Sequence, residues 1–143
     1  MKITRITIRG TSGYCPADEA YEDKLTITES SISYEYKPYL MDGSETNVYK
    51  KWSYKTTSSR FREIFEHVAE MTPDIIHCDE DLFVCDIGSK KFIITYEDNS
   101  REVEVFFCPS EYFKEYFRAI KKLVPACETT PAVLWTSDEE VDA

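Results

Sequence analysis

The stretch Lys90 to Cys108, KKFIITYEDNSREVEVFFC, constrains the fold more than any other. Phe92, Ile94 and Tyr96 alternate along its first half, and Val103, Val105 and Phe107 along its second. Asp98-Asn99 between them is turn chemistry, so the stretch reads as a β-hairpin. A two-residue turn pairs Glu97 with Ser100, so that paired residue numbers sum to 197. Ile94 then faces Val103 and Phe92 faces Val105, with both apolar stripes on one side. A slip of one residue would set Ile94 against Glu102 or Glu104, which argues for the first register. On that register Val103→Asp buries an unpaired charge and unfolds the domain. Ile93 and Phe106 fall on the opposite, wet parity, either as a small exposed apolar patch or beneath the C-terminal tail.

The rest of the chain extends this hairpin into a sheet. Lys2 to Arg9 reads as a strand with Thr4, Ile6 and Ile8 on one side. Residues 10–23 read as a loop in which Asp18, Glu19, Glu22 and Asp23 are solvated. A second hairpin turns at Glu29-Ser30 with paired numbers summing to 59, setting Leu25 against Tyr34 and Ile27 against Ile32. Residues 47–56 alternate as a further strand, with Lys51, Ser53 and Lys55 on its wet side. From Ser59 the period changes: Phe61, Ile64, Phe65, Val68 and Met71 fall at helical spacing, with Ser58 or Ser59 as N-cap and Pro73 as the stop. Residues 82–86 form a short strand on the same reading. Ser110 opens a second helix carrying Phe113, Tyr116, Phe117, Ile120, Leu123 and Val124, and Pro125 ends it.

The expected fold is therefore α+β, in the order ββββ-α-βββ-α. A mainly antiparallel sheet of about six to seven strands carries two helices on one face, as a two-layer sandwich. Residues 1–125 form the single domain, and residues 126–143 an acidic C-terminal tail, docked or disordered. The tail holds Glu128, Asp138, Glu139, Glu140 and Asp142 with no Lys or Arg, half of the net charge of −10. That charge argues against a nucleic-acid partner. No run approaches a membrane span, the N-terminus lacks a leader-like apolar core, and the odd count of five cysteines argues against a disulfide framework. A cytoplasmic protein with no membrane contact is expected.

Candidate chemistry is sparse. His77, Cys78 and Cys85 are possible metal ligands among the acids of residues 79–86, but their spacing matches no zinc pattern and no metal or cofactor is expected. No catalytic residues are assigned. Ile93, Phe106, Leu134 and Trp135 are the candidate interaction surface, the last two because an apolar segment precedes an acidic one.

Tyr14-Cys15-Pro16, the Phe-rich stretch 61–68, Tyr96-Glu97-Asp98-Asn99-Ser100 and residues 109–123 resemble a group of small uncharacterised bacterial α+β domains. The resemblance spans residues 3–124 and implies no activity. Asn99 stands where those domains have Gly, which the turn tolerates because Asn enters the left-handed region. The expected role is a non-catalytic protein-interaction module or homo-oligomer, for example an acidic immunity- or antitoxin-like binder of a basic partner. The alternative is a small enzyme or ligand-binding protein with a cleft between loops 10–23 and 73–81.

Overall fold

The computed structural model describes residues 1–12, 19–39, 47–77, 89–107 and 110–137. Among these residues six strands form one sheet: β1 (Ile3–Thr11), β2 (Tyr21–Thr28), β3 (Ser31–Pro38), β4 (Lys50–Lys55), β5 (Lys90–Tyr96) and β6 (Arg101–Phe106). Their spatial order is β4-β3-β2-β1-β5-β6, and every neighbouring pair is antiparallel. Two helices, α1 (Ser59–Ile76) and α2 (Lys114–Lys121), complete an α+β fold, with a 3-10 turn at Ser110–Phe113 and another at Ala132–Leu134. The strand expected at 82–86 lies outside the described residues.

One sheet face and both helices share a core. Ile6, Ile8, Leu25, Ile27, Ile32, Phe92 and Ile94 from the strands are fully buried with Val68 of α1 and Tyr116, Phe117 and Ile120 of α2. Each fully buried side chain of this size is worth roughly 1.5–3 kcal/mol, so this face dominates the folding energy. The β2–β3 hairpin has the expected register, with Leu25 opposite Tyr34 and Ile27 opposite Ile32.

The β5–β6 hairpin does not. Its paired numbers sum to 196, so Ile93 faces Val103, Phe92 faces Glu104 and Ile94 faces Glu102. The turn explains the shift. Asn99 N–H donates to the Tyr96 carbonyl and Tyr96 N–H to the Ser100 carbonyl, both at 2.9 Å, enclosing a three-residue loop, Glu97 to Asn99. Asn99 takes φ 68°, the left-handed position such a loop requires, and the Asp98 carboxylate accepts the Ser100 N–H at 3.0 Å. Val103, Val105 and Phe107 consequently face outward, 48%, 46% and 44% exposed. Phe106 instead turns inward, with its ring 5.5 Å from Phe92 and 5.4 Å from Phe113. The expectation that Val103→Asp unfolds the protein falls with the register, since Val103 is not core.

Two further local departures have clear causes. A bulge between Ile3 and Arg5 sends both Thr4 and Arg5 outward, so Ile3, not Thr4, joins Ile6 and Ile8 in the core. Helix α1 begins as expected, with the Ser58 hydroxyl accepting the Phe61 N–H at 3.3 Å, but it runs through Pro73 to Ile76. Proline removes one helical donor and costs a few kcal/mol. Burial of Ile76 in the core opposes that cost, and the Thr72 hydroxyl, 2.8 Å from both the Val68 carbonyl and the Tyr116 hydroxyl, anchors the same turn.

Candidate functional site

The sheet face turned away from the helices is a grid whose rows follow from the pairing registers. One row reads Lys55, Ser31, Thr28, Arg5, Thr95, Arg101, and the next Ser53, Ser33, Thr26, Thr7, Ile93, Val103. A third reads Lys51, Glu35, Lys24, Arg9, Lys91, Val105. With Lys37 and Glu22 beyond it, this face holds eight Lys and Arg residues but, among the described residues of its rows, only the acids Glu22 and Glu35. A chain of net charge −10 thus presents a basic sheet face.

Arg9 sits between Lys24 and Lys91, its direct cross-strand partners on the two sides. Like charges directly opposite one another destabilise a sheet. Glu35, the partner of Lys24 on its other side, is already engaged: it accepts the Tyr49 hydroxyl at 2.7 Å and pairs with Lys37 at 3.4 Å. The Tyr49 hydrogen bond foremost, with Lys37 and Lys51 nearby, holds the Glu35 carboxyl below its ordinary range. Arg5, Arg9, Lys24, Lys91 and Arg101 make no ion pair with a described residue. A shallow cleft of about 360 Å³ lies along the third row, walled by Arg9, Lys24, Lys37 and Lys91, with Glu22, Glu35 and the hydroxyls of Thr11 and Ser89. Beside it Ile93, Val103, Val105 and Phe107 form an apolar ridge at the β6 edge.

Two other polar clusters lie elsewhere. On the core side, Asp23 is buried rather than solvated, because it occupies an inward position of β2. Its Oδ2 accepts the Tyr34 hydroxyl at 2.7 Å and the Val133 N–H at 2.9 Å, while the Tyr34 oxygen accepts the Ala132 N–H at 3.1 Å. Its Oδ1 is buried with no hydrogen-bond partner among the described residues. Burial pushes the Asp23 carboxyl up to about 6, against the opposing hydrogen bonds and the nearby Lys90 charge. This arrangement latches the Ala132–Leu134 turn beneath the sheet. Val133 packs so closely on Gly10 that a Cβ there would lie 2.8 Å from a Val133 methyl, which only glycine avoids.

At the end of α1, His77 Nε2 and Glu102 Oε2 are 2.5 Å apart, and the Tyr96 hydroxyl donates to Glu102 Oε1 at 2.7 Å. The Glu102 hydrogen bond raises the His77 pKa above its usual value, and the same contacts lower that of Glu102. Desolvation, then Glu102, push the Tyr96 hydroxyl to about 12.

His77 therefore meets a carboxylate and a phenol, while Cys78 and Cys85 lie outside the described residues. Among the described residues no three His, Cys, Asp or Glu side chains converge as a metal site. Of the expected interaction residues, Ile93 is on the open face and half-buried, and Phe106 is turned into the core margin. Leu134 is fully buried and belongs to the core, because the latch pulls its turn under the sheet. Trp135 is 56% exposed, with its indole N–H donating to the Thr130 carbonyl at 3.0 Å. Of the loops 10–23 and 73–81 expected to form a cleft, residues 10–11 and 21–23 belong to β1 and β2 and 73–76 to α1, while 13–18 and 78–81 lie outside the described residues. The cationic row was missed because its members are scattered from residue 9 to residue 91. The signal that could have found it is the outward parity of each strand, read across the registers.

No described helix is long and apolar enough to cross a membrane. No protein-family model matches the chain, and no curated protein matches it.

Proposed function

We propose that the protein is a non-catalytic interaction module whose open sheet face is its binding surface. The observation that carries this reading is the exposed ridge of Val103, Val105 and Phe107 at the edge of a face of charged, Ser and Thr side chains. Apolar side chains ringed by polar ones are what a protein interface places at its centre. A basic partner, as an immunity- or antitoxin-like role requires, would instead use the outer side of α1, where Glu63, Glu66, Glu70 and Asp74 are exposed. Site-specific photocrosslinkers at Val103 and at Glu66, used in extract from the source organism and read by mass spectrometry, separate the two. Adducts confined to Val103, reproduced with the purified partner or a second copy, are the expected result. Adducts confined to Glu66 overturn it.

The enzyme alternative draws support from the His77–Glu102–Tyr96 contacts, in which a carboxylate orients an imidazole beside a phenol. A turnover assay across hydrolase substrates that Glu102→Gln abolishes would replace the binding reading.

A further inference from the structure

We infer that the partner of the open face is an acidic polypeptide segment, whose carboxylates meet Lys24, Arg9 and Lys91 and whose apolar side chain meets Val105 in the same row. This inference rests on the reading that the open face is the binding surface. Its first ground is charge. Three cations stand side by side on β2, β1 and β5, and none makes an ion pair with a described residue. An alternation of charges across the strands would be more stable, so among the described residues the row carries a repulsion that an external anion would relieve. Arg9 supplies the planar fork that carboxylates engage in pairs.

The second ground is geometry. Neighbouring strands are about 4.8 Å apart, so the three cations span about 10 Å and Val105 follows at about 14 Å from Lys24. An extended chain covers that distance in about four to five residues, of which alternate side chains face the sheet. A segment crossing the strands thus reads acidic residues first and an apolar residue next, which matches the order of the row.

The third ground decides between polyanions. Nucleic acid would also favour the cations, but twenty-seven acids and a net charge of −10 repel a phosphate backbone longer than the row. The row itself offers no aromatic on which bases could stack. A short acidic segment meets the row of Lys24, Arg9 and Lys91, with Glu35 at its far end already engaged by Tyr49 and Lys37.

The test uses the full chain and fluorescein-labelled probes read by anisotropy at about 50 and about 300 mM salt. The probes are a peptide of about twelve residues with three glutamates followed by a leucine, its glutamine counterpart, and an oligothymidylate of similar length. The glutamate peptide is expected to bind, to weaken about tenfold or more at the higher salt, and to lose about tenfold or more in Arg9→Glu/Lys24→Glu/Lys91→Glu. Should that variant fail to fold by circular dichroism, Arg9→Gln/Lys91→Gln replaces it, with a smaller loss expected. Glu66→Lys/Glu70→Lys on α1 leaves binding unchanged. Equal binding of the glutamate and glutamine peptides, or no effect of the sheet variants, overturns the inference. Tighter binding of the oligothymidylate, lost in the same variants, replaces it with a nucleic-acid site. If Val103 crosslinks to a partner while the glutamate peptide does not bind, the face stands as the binding surface and the acidic class falls. If Val103 also fails to crosslink, both fall.

Discussion

Asp23 makes the stability of this protein depend on pH in a direction opposite to that of a salt-bridged carboxylate. Burial raises its carboxyl from 3.8 to about 6 in the folded state. The protonated form is thus favoured by folding, so the contribution of this group is fully present below about pH 4 and is lost as the pH rises through 6. At 1.36 kcal/mol for each factor of ten in acidity, the full difference is about 3 kcal/mol, of which about 2 falls between pH 4 and pH 7. Asp23→Asn keeps the shape and an acceptor for Tyr34 and Val133 but does not titrate. Urea unfolding of both proteins across that range should show the stability difference, wild type minus Asp23→Asn, falling by about 2 kcal/mol as pH rises. Taking the difference cancels the titration of the distant acids. Asp23→Ala sharpens the test, because it strands the Val133 N–H and leaves the Tyr34 hydroxyl proton without an acceptor. Each loss costs about 1–3 kcal/mol. At pH 7 relief of the buried charge offsets much of this cost and at pH 4 it does not, so the alanine variant should be the more damaging at low pH. A wild-type-minus-asparagine difference that is flat, or that rises with pH, would refute the placement of Asp23 in a desolvated site.

Leu134 is fully buried, so Leu134→Ala should lower unfolding stability by about 2–5 kcal/mol in urea titration, whereas a change below about 1 kcal/mol would mean that the turn is not part of the core. Val103→Asp should cost no more than about 1 kcal/mol, because Val103 is on the outer face of an edge strand; an unfolded variant would restore the register summing to 197. Glu102→Gln should lower the His77 pKa toward 6.5, followed by NMR titration of the imidazole, and an unmoved titration would deny the contact. Arg9→Thr should raise the unfolding free energy in urea titration by about 0.2–1 kcal/mol, since it removes a cation held between two others; a loss of stability would show that Arg9 serves the fold and not a ligand.

The two hairpins show where local pattern suffices and where it fails. In β2–β3, Leu25 and Ile27 meet Tyr34 and Ile32 in one buried face, and the polar residues between them have only one place to go. Pattern and turn agree there, so the register was legible. In β5–β6 they disagree. Val103, Val105 and Phe107 form the more regular stripe, but the three-residue loop closed by Asn99 sets the pairing and turns that stripe outward. The inward side of β6 meets only the margin of the core, where Phe106 packs on Phe92 and Phe113 and Glu102 finds Tyr96 and His77. An edge strand whose two faces are both half-wet gives composition little leverage over register. The same error hid the His77–Glu102 contact, which exists only in the observed pairing. Asp23 was illegible for a different reason: one inward carboxylate among four acids in sequence looks solvated until the Ala132–Leu134 turn, over a hundred residues away, supplies its donors.

The conflicts on the open sheet face share a physical character that bears on function. Sequences generally agree with their folds at every level, and exceptions concentrate where something other than folding is served. Here an apolar stripe points to solvent, three like charges stand in line, and both features lie on the same open face of β1, β2, β5 and β6. Folding alone would favour polar residues at 103 and 105 and an acid at position 9. On the buried face Ile6, Ile8, Leu25, Ile27, Phe92 and Ile94 are apolar, and the buried Asp23 accepts hydrogen bonds from Tyr34 and Val133. An anionic, partly apolar partner would relieve both exceptions at once: its carboxylates would neutralise the row and its side chain would cover the ridge. That single occupant is the simplest account of why the two features adjoin. It also predicts that variants which stabilise the free protein on this face weaken its binding.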